Sequence, residues 1–462
     1  MTPAHAEAMG QILEQTFARF RTCFLTKTRD ASNRAWTVLR GCLEMDSGRT
    51  YRGIEQTVEG SDRDGQNIQH FMSDSPWSSC AVFEQIHRDI KERSWLAGGS
   101  LHFDESADEC SGAHKAGAAR QYLGRFGKVD MGQVGVLSTY SKDGYWLLLG
   151  AELYLPENWF KQARLLKQWK RLHIPPERVF QTKVQLAQRL FDQAIQAELP
   201  FEWTTADSFY GRSFEFRQHI DERGKKYLLS IPQDELVWQQ HPWECATSVG
   251  CLVKDLVGNA TFESLKVRDS QRGDLTYEHA FVPVWTVNSQ APVAKRIARR
   301  ELLLIRKEPD GSHSFALSNT TLHDTSKQLL GEQRAEHYFV ERTIQDSKSE
   351  LGWDELQAVK YRAYLHSLAI CAIALMYTTD IKYQQRAYFV PQEQVMAQAG
   401  VNRLPDLSLA NVKELIRAVM PLPTLTKEQA TKKVITTLFL RTKDTASKIR
   451  KVQNVKSPKN LI

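Results

Sequence analysis

The 462-residue sequence contains no apolar run near the roughly 18 residues that a bilayer span requires. Its most apolar stretch, Leu365 to Met376, is too short and carries His366, so it predicts a buried helix. Met1 to Cys23 holds no uninterrupted apolar segment behind a basic start, so no secretory signal is expected. Cysteine is scarce: Cys23, Cys42, Cys80, Cys110, Cys245, Cys251 and Cys371, with no CxxC pair among them. An odd, scattered set without an export signal argues for reduced thiols and against a disulfide scaffold. His241, Cys245 and Cys251 come nearest to a metal-ligand cluster, but their spacing does not make a zinc site. Internal repeats are missing too. A soluble intracellular protein with no membrane partner is the expectation.

What is present can build large cores. The chain is 42% hydrophobic and 25% charged, with 61 Lys+Arg against 54 Asp+Glu. Its length predicts two to four domains at roughly 100–200 residues each. The net charge of +7 is unevenly placed. Lys427 to Lys459 holds ten Lys+Arg and two acids, a balance of +8, which leaves −1 for the rest. A basic tail on a nearly neutral body is the electrostatic footprint of a polyanion binder, although a solvated terminus has the same composition.

Residues 1 to about 92 read as helical, since Leu13, Phe17 and Phe20, and then Val82, Ile86 and Ile90, recur at three- and four-residue steps. Gly60 to Gly65 reads as a loop between helices. Strand grammar follows: Gly99 to Asp104, Gln133 to Tyr140 and Tyr145 to Leu153, the last two joined by Asp143-Gly144, a hairpin signal. Helices over 183–197 and 212–223 then alternate with strands at Phe201 to Ala206 and Tyr227 to Ile231. The β-β-β-α-β-α-β order predicts an α/β domain with a mixed sheet and helices on its faces. From 233 to 333 the pattern is irregular and strand-rich (Gly250 to Val257, Phe281 to Val287, Glu301 to Lys307). Helices are expected again over 334–349 and 355–378.

Three acids have a telling address. Asp104 ends the first predicted strand, and Asp207 ends the strand FEWTTA just before a helix. Ligand sites on open α/β sheets lie outside the carboxyl ends of strands, so two acids far apart in sequence can converge there. Glu341 sits on a helix with Lys348 two turns later on the same predicted face. Carboxylates of this kind suit Mg²⁺, and two such ions about 3.5–4 Å apart support phosphoryl transfer. Helix caps and solvated surface acids would show the same pattern.

Several ordered segments carry a resemblance. These are Asn67 to Trp77 (NIQHFMSDSPW), Leu101 to Val136, Leu153 to Trp159 (LYLPENW), Phe180 to Leu186 (FQTKVQL), Trp203 to Arg212 (WTTADSFYGR) and Val340 to Gly352 (VERTIQDSKSELG). Over about residues 65 to 380 the chain resembles the DDE transposases of bacterial insertion sequences. The likeness is to their cut-and-paste branch, in which a β-rich insertion interrupts an RNase H-like core before the catalytic glutamate. The resemblance implies an RNase H-like mixed five-stranded sheet, α+β overall. It divides the chain into an N-terminal helical DNA-binding region (1–95), a first core part (96–232) and the insertion (233–333). The last core helices (334–380) and a C-terminal helical region with the basic tail (381–462) follow.

It also implies an activity. Asp104, Asp207 and Glu341 would be the catalytic and metal-holding acids, with two Mg²⁺ ions for which Mn²⁺ substitutes. Lys348 would contact DNA phosphate. The partners implied are double-stranded DNA, at terminal inverted repeats and target, and a second copy in a paired-end complex on the bacterial nucleoid. The family's arginine before the glutamate is His337 here, and its tyrosine is Arg334; both stay as DNA-contact candidates, Arg334 to compensate for the weaker histidine. Arg120, Lys128 and Arg125 are candidates for backbone contact, as is the insertion's basic cluster Lys295, Arg296, Arg299 and Arg300. Trp285 is a base-stacking candidate, though a strand tryptophan more often packs in a core. His102 reads as a packed sheet residue. A DNA-binding descendant without catalysis and an RNase H-like nuclease without strand transfer are the rival readings.

Overall fold

Apolar residues at helical spacing roll the first stretch of the chain into five helices. These are α1 Pro3–Phe20, α2 Ser32–Glu44, α3 Tyr51–Val58, α4 Gln66–Ser73 and α5 Ser79–Lys91. Leu13, Phe20, Val82, Ile86 and Ile90 are buried, as their periodicity requires. The computed structural model describes residues 3–110, 112–124, 127–242, 250–270, 273–356, 358–385 and 408–423. The basic segment 427–459, Arg125 and Cys245 lie outside the described residues. Among those described, the other six cysteines are free thiols.

The sheet begins with β1 Gly99–Glu109, β2 Ala119–Leu123, β3 Lys128–Lys142 and β4 Tyr145–Leu153. Asp143 (φ 49°) and Gly144 (φ 75°) both take the left-handed conformation, which is the turn chemistry that a tight hairpin between twisted strands demands. The chain then runs through α6 Lys183–Gln196, β5 Phe201–Ala206, α7 Phe214–Asp221 and β6 Lys226–Ile231. Thr182 and Gln185 close a reciprocal capping box at the start of α6. Strands pair in the order β4-β3-β1-β5-β6, with β1 antiparallel to β3 but parallel to β5. That order and sense make an RNase H-like sheet. Phe103 packs against Phe191 of α6 and Phe216 of α7, so both crossover helices cover the Phe103 face.

The strand-rich insertion does not close on itself. It opens with a short pair where the strand expected at Gly250 to Val257 proves only two residues long: β7 Leu236–Val237 pairs with β8 Cys251–Leu252, then Val253–Asn259 turns 3-10 helical. Val253 and Leu256, three apart, are the residues that bury there, a helical spacing hidden in a β-rich composition. The longer strands β9 Glu263–Ser270, β10 Gly273–Val287, β11 Ala298–Lys307 and β12 His313–Ser318 add to the core in reverse order. β12 pairs antiparallel with β6, so one ten-stranded sheet spans core and insertion.

The closing helices are α8 Lys327–Glu336, α9 Tyr338–Gln345, α10 Tyr361–Gln385 and α11 Leu409–Val419. The first of them starts seven residues earlier than its pattern predicts, because Ser326 caps it through the Leu329 N–H, and it breaks at His337. α10 is long and apolar enough by composition to cross a membrane, yet 94% of its apolar window is buried inside the protein. It packs on β4 and on α1, α2, α4 and α5. It is a core helix.

One glycine fixes the turn after β5. A Cβ on Gly211 would lie 1.9 Å from the Ser230 carbonyl oxygen of β6. Gly211→Ala is therefore expected to force the turn off the sheet, costing on the order of 1–3 kcal/mol. Gly258→Ala, with open space around it, is the neutral comparison. Urea midpoints measure both, and equal midpoints would refute the close-approach argument.

Candidate active site

β1 and β5 run parallel with Phe103 opposite Ala206, so the next residue on each is Asp104 and Asp207. Adjacent strands lie about 4.8 Å apart, which sets the two carboxylates side by side where β5 ends. β1 itself continues to Glu109, five residues beyond its predicted end, because β3 keeps pairing with it. Asp207 is the N-cap of a single turn, Ser208–Gly211, and its Oδ1 accepts from the N–H groups of Phe209 (3.0 Å) and Tyr210 (3.3 Å). Asp104 Oδ1 accepts from the Glu105 N–H at 2.7 Å. The other oxygen of each accepts no hydrogen bond from a described residue, leaving it available to a cation.

Electrostatics mark the same spot. Burial, followed by the Asp207 carboxylate beside it and by Glu105 and Glu341, pushes Asp104 up to about 8. Burial also raises Asp207 to about 6, against the pull of the Tyr210 and Phe209 N–H groups and the Lys183 ammonium. The Lys183 ammonium does not offset this crowding, and hard cations supply further positive charge to such carboxylates. Glu341 stands exposed in the first turn of α9, within electrostatic reach of Asp104. Among the described residues no three His, Cys, Asp or Glu side chains stand close enough to share one ion. Asp104 and Asp207 thus offer a pair of carboxylates suited to a divalent cation, with Glu341 near enough to act on Asp104 electrostatically.

Two residues missed by pattern reading complete the surroundings. Glu105, on the opposite face of β1 from Asp104, takes an ion pair from Lys183 Nζ at 2.7 Å and lies 3.4 Å from the Tyr210 hydroxyl. Lys183 also sits 5.3 Å from the Phe209 ring centroid, and Phe209 is exposed next to Asp207. Lys183 lies in the FQTKVQL segment, but nothing local signals a partner 78 residues away.

The remaining candidates scatter. Asp346–Glu350 forms a π-helical turn, so Lys348 does not share the face of Glu341. It is buried, 2.6 Å from Asp108 Oδ1 and 3.2 Å from the Ala107 carbonyl. Asp108 lies four residues along β1 from Asp104, a distance of about 13 Å. His337 is half-buried, with Nδ1 3.4 Å from Thr205 Oγ1, and burial together with Arg334 and Arg306 holds it down to about 3, hence neutral. Arg334 donates to the Ser230 hydroxyl at 2.6 Å. His102 is buried against Thr205 and Ser141, as a packed sheet residue should be.

Arg120 is exposed on β2, and Lys128 pairs with Asp130 (2.8 Å) and Glu109 (3.2 Å). On the insertion, Lys295 and Arg300 are exposed. Arg296 donates to the carbonyls of Ser289 and Ala291, and Arg299 pairs with Asp221 at 3.1 Å. Trp285 is half-buried, bridged through its backbone to Trp238, with its ring 4.5 Å from that of His241. Among the described residues, neither it nor the insertion's cations are bonded to the carboxylate pair.

Comparison with known proteins gives this geometry a context. A family model described as DDE superfamily endonuclease matches residues 19–248, which include Asp104 and Asp207. The probable transposase for insertion sequence element IS701 of Microchaete diplosiphon is 25% identical over 333 residues, 70% of this chain and 75% of that protein. The cryo-EM structure of a piggyBac transposase synaptic complex with hairpin DNA aligns over 93% of this chain and 84% of its own at 10% identity, with a TM-score of 0.34. By its family match and by its relative, the chain belongs to the DDE superfamily of endonucleases, among the transposases of insertion sequences.

Proposed function

We propose that this chain is a divalent-metal-dependent DNA transposase that cuts phosphodiester bonds at the ends of its element and joins the freed 3′-hydroxyls to target DNA. The observation that carries the reading is the parallel register that brings Asp104 beside Asp207, with Glu341 within electrostatic reach of Asp104. Asp104 would be shared by two Mg²⁺ ions, Asp207 holding one and Glu341 the other. When bound, such ions activate the attacking oxygen and neutralise charge on the leaving one. The protein's own part is placement. The Phe209 and Tyr210 N–H groups fix one oxygen of Asp207, and the Glu105 N–H fixes one of Asp104, so the second oxygen of each remains for a cation.

DNA is the substrate this reading requires. The exposed Arg120, Lys295 and Arg300 are suited to phosphate contact, and Lys348 and Lys128 would have to exchange their carboxylate partners for phosphate. A dimer holding two ends, the helical region 1–95 and the insertion as end-binding parts, and a place on the bacterial nucleoid belong to the same proposal. Duplexes ending in the element's terminal repeats should be nicked in Mg²⁺ or Mn²⁺ and not in EDTA, and precut ends should join a target plasmid. Binding without nicking would indicate a non-catalytic descendant. Nicking without joining would indicate a nuclease.

A further inference from the structure

Behind the carboxylates, one run of hydrogen bonds crosses every element that carries them. His102 precedes Asp104 by two residues on β1, and Thr205 precedes Asp207 by two on β5, so strand alternation puts each on the face of its acid. His337 precedes Glu341 by four, one helical turn, at the joint between α8 and α9. Thr205 Oγ1 lies 2.6 Å from His102 Nδ1 and 3.4 Å from His337 Nδ1. His102 Nε2 lies 2.8 Å from Ser141 Oγ, and Ser141 donates to Glu336.

Counting donors gives the run one direction. Ser141 spends its hydrogen on the Glu336 carboxylate, so it accepts from His102 Nε2–H. A neutral imidazole with Nε2 protonated has Nδ1 as its acceptor, and the Thr205 hydroxyl is therefore the donor to it. Thr205 then accepts from His337 Nδ1–H. Each member has one partner per proton, and the Thr205 hydroxyl is the joint of this run between the strands and α9. Exchanging it for a methyl would leave the Nδ1 atoms of both imidazoles without this partner.

We infer that Thr205 is a positioning residue of the metal site, holding β1, β5 and α9 at the spacing from which Glu341 reaches the ions on Asp104 and Asp207. The inference rests on the proposed function and adds a residue of no charge that touches neither metal nor DNA. It also gives His337 a task, anchoring α9, in place of a grip on phosphate.

The test is Mn²⁺ binding by electron paramagnetic resonance on the full-length protein, together with nicking of a terminal-repeat duplex over a Mn²⁺ series. Thr205→Val keeps the shape and loses the hydroxyl; Thr205→Ser keeps the hydroxyl. Loss of an outer hydrogen-bond partner typically weakens metal affinity or activity about 10–100-fold. Thr205→Val should therefore bind Mn²⁺ about 10–100-fold more weakly and regain nicking as Mn²⁺ is raised, with DNA affinity in EDTA unchanged. Thr205→Ser should restore binding to within about threefold of wild type. His337→Phe, which removes the donor to Thr205, should reproduce the Thr205→Val defect and serves if the valine variant does not fold. Wild-type affinity in Thr205→Val or His337→Phe overturns the inference alone, as does equal loss in the valine and serine variants. Equal Mn²⁺ binding by wild type and Asp104→Asn would instead overturn the metal site itself, and the inference with it.

Discussion

Asp104→Asn is expected to abolish metal-dependent nicking while raising the melting temperature of the metal-free protein. The two effects have one cause. In the folded chain burial, Asp207 and the neighbouring acids move Asp104 from the ordinary 3.8 to about 8. Between those values the folded state holds the proton more tightly than the unfolded chain does. Stability is therefore lost as pH rises through this window and levels off above it. At pH 7 the penalty is on the order of a few kcal/mol, since each tenfold change in proton affinity is worth about 1.4 kcal/mol. Asp207, raised to about 6, adds to the same slope at its lower end. Asparagine escapes the penalty.

Thermal melts in EDTA should show Asp104→Asn level with wild type near pH 4 and roughly 3–6 °C above it at pH 8, given the modest temperature shift per kcal/mol in a chain this long. Nicking should fall by at least about 10³-fold, the scale of losing a group that stabilises developing charge. Because the ions need ionised carboxylates, wild-type affinity for Mn²⁺ should climb from pH 6 to 8 as protons are released. A variant that melts lower than wild type at pH 8, or a gap that does not change with pH, would refute the crowded-carboxylate account.

What can be read from sequence follows physical range. The Asp143-Gly144 hairpin is legible because its backbone needs positive φ at two residues whose types allow it. Phe201–Ala206 is legible to the residue, since Pro200 and Asp207 punctuate it. Asp104 and Asp207 are legible as strand-end acids, although only the structure shows that β1 runs on and that the pairing of β1 with β5 is what ends there. Lys348 is misplaced by sequence for a specific reason: seven residues make two turns only in a regular α-helix, and the π-helical turn at Asp346 redirects it toward Asp108. β9 and β12 escape pattern reading because their apolar residues face α8 and neighbouring strands that sequence does not bring together. The Lys183–Glu105 pair leaves no local trace at all.

Arg217→Met is expected to give the largest loss of stability of any single exchange considered, and to release the insertion from the core. Glu301 of β11 is fully buried and ion-paired with Arg217 of α7 at 3.0 Å. It also accepts from the hydroxyls of Tyr227 on β6 and Thr286 on β10, while Arg217 donates to the Gly211 carbonyl. One carboxylate thus joins the core strand β6, the insertion strands β10 and β11, and the turn that carries Asp207. Removing Arg217 takes the ion-pair partner from a carboxylate that water cannot reach. It leaves that carboxylate the Arg299 guanidinium, which lies 3.5 Å from the Tyr227 hydroxyl and pairs with Asp221. The loss is roughly 3–5 kcal/mol. Arg217→Met with Glu301→Leu should recover much of this, because an apolar pair of similar volume often replaces a buried ion pair without loss. Recovery stays partial, since Tyr227 and Thr286 then lack their acceptor. Urea midpoints for the two single variants and the double give the coupling energy directly. Proteolysis should cut the insertion of Arg217→Met before the core. Additive midpoints, or an insertion no more sensitive than in wild type, would show that the sheet's backbone pairing between β12 and β6 holds the two parts together without Glu301.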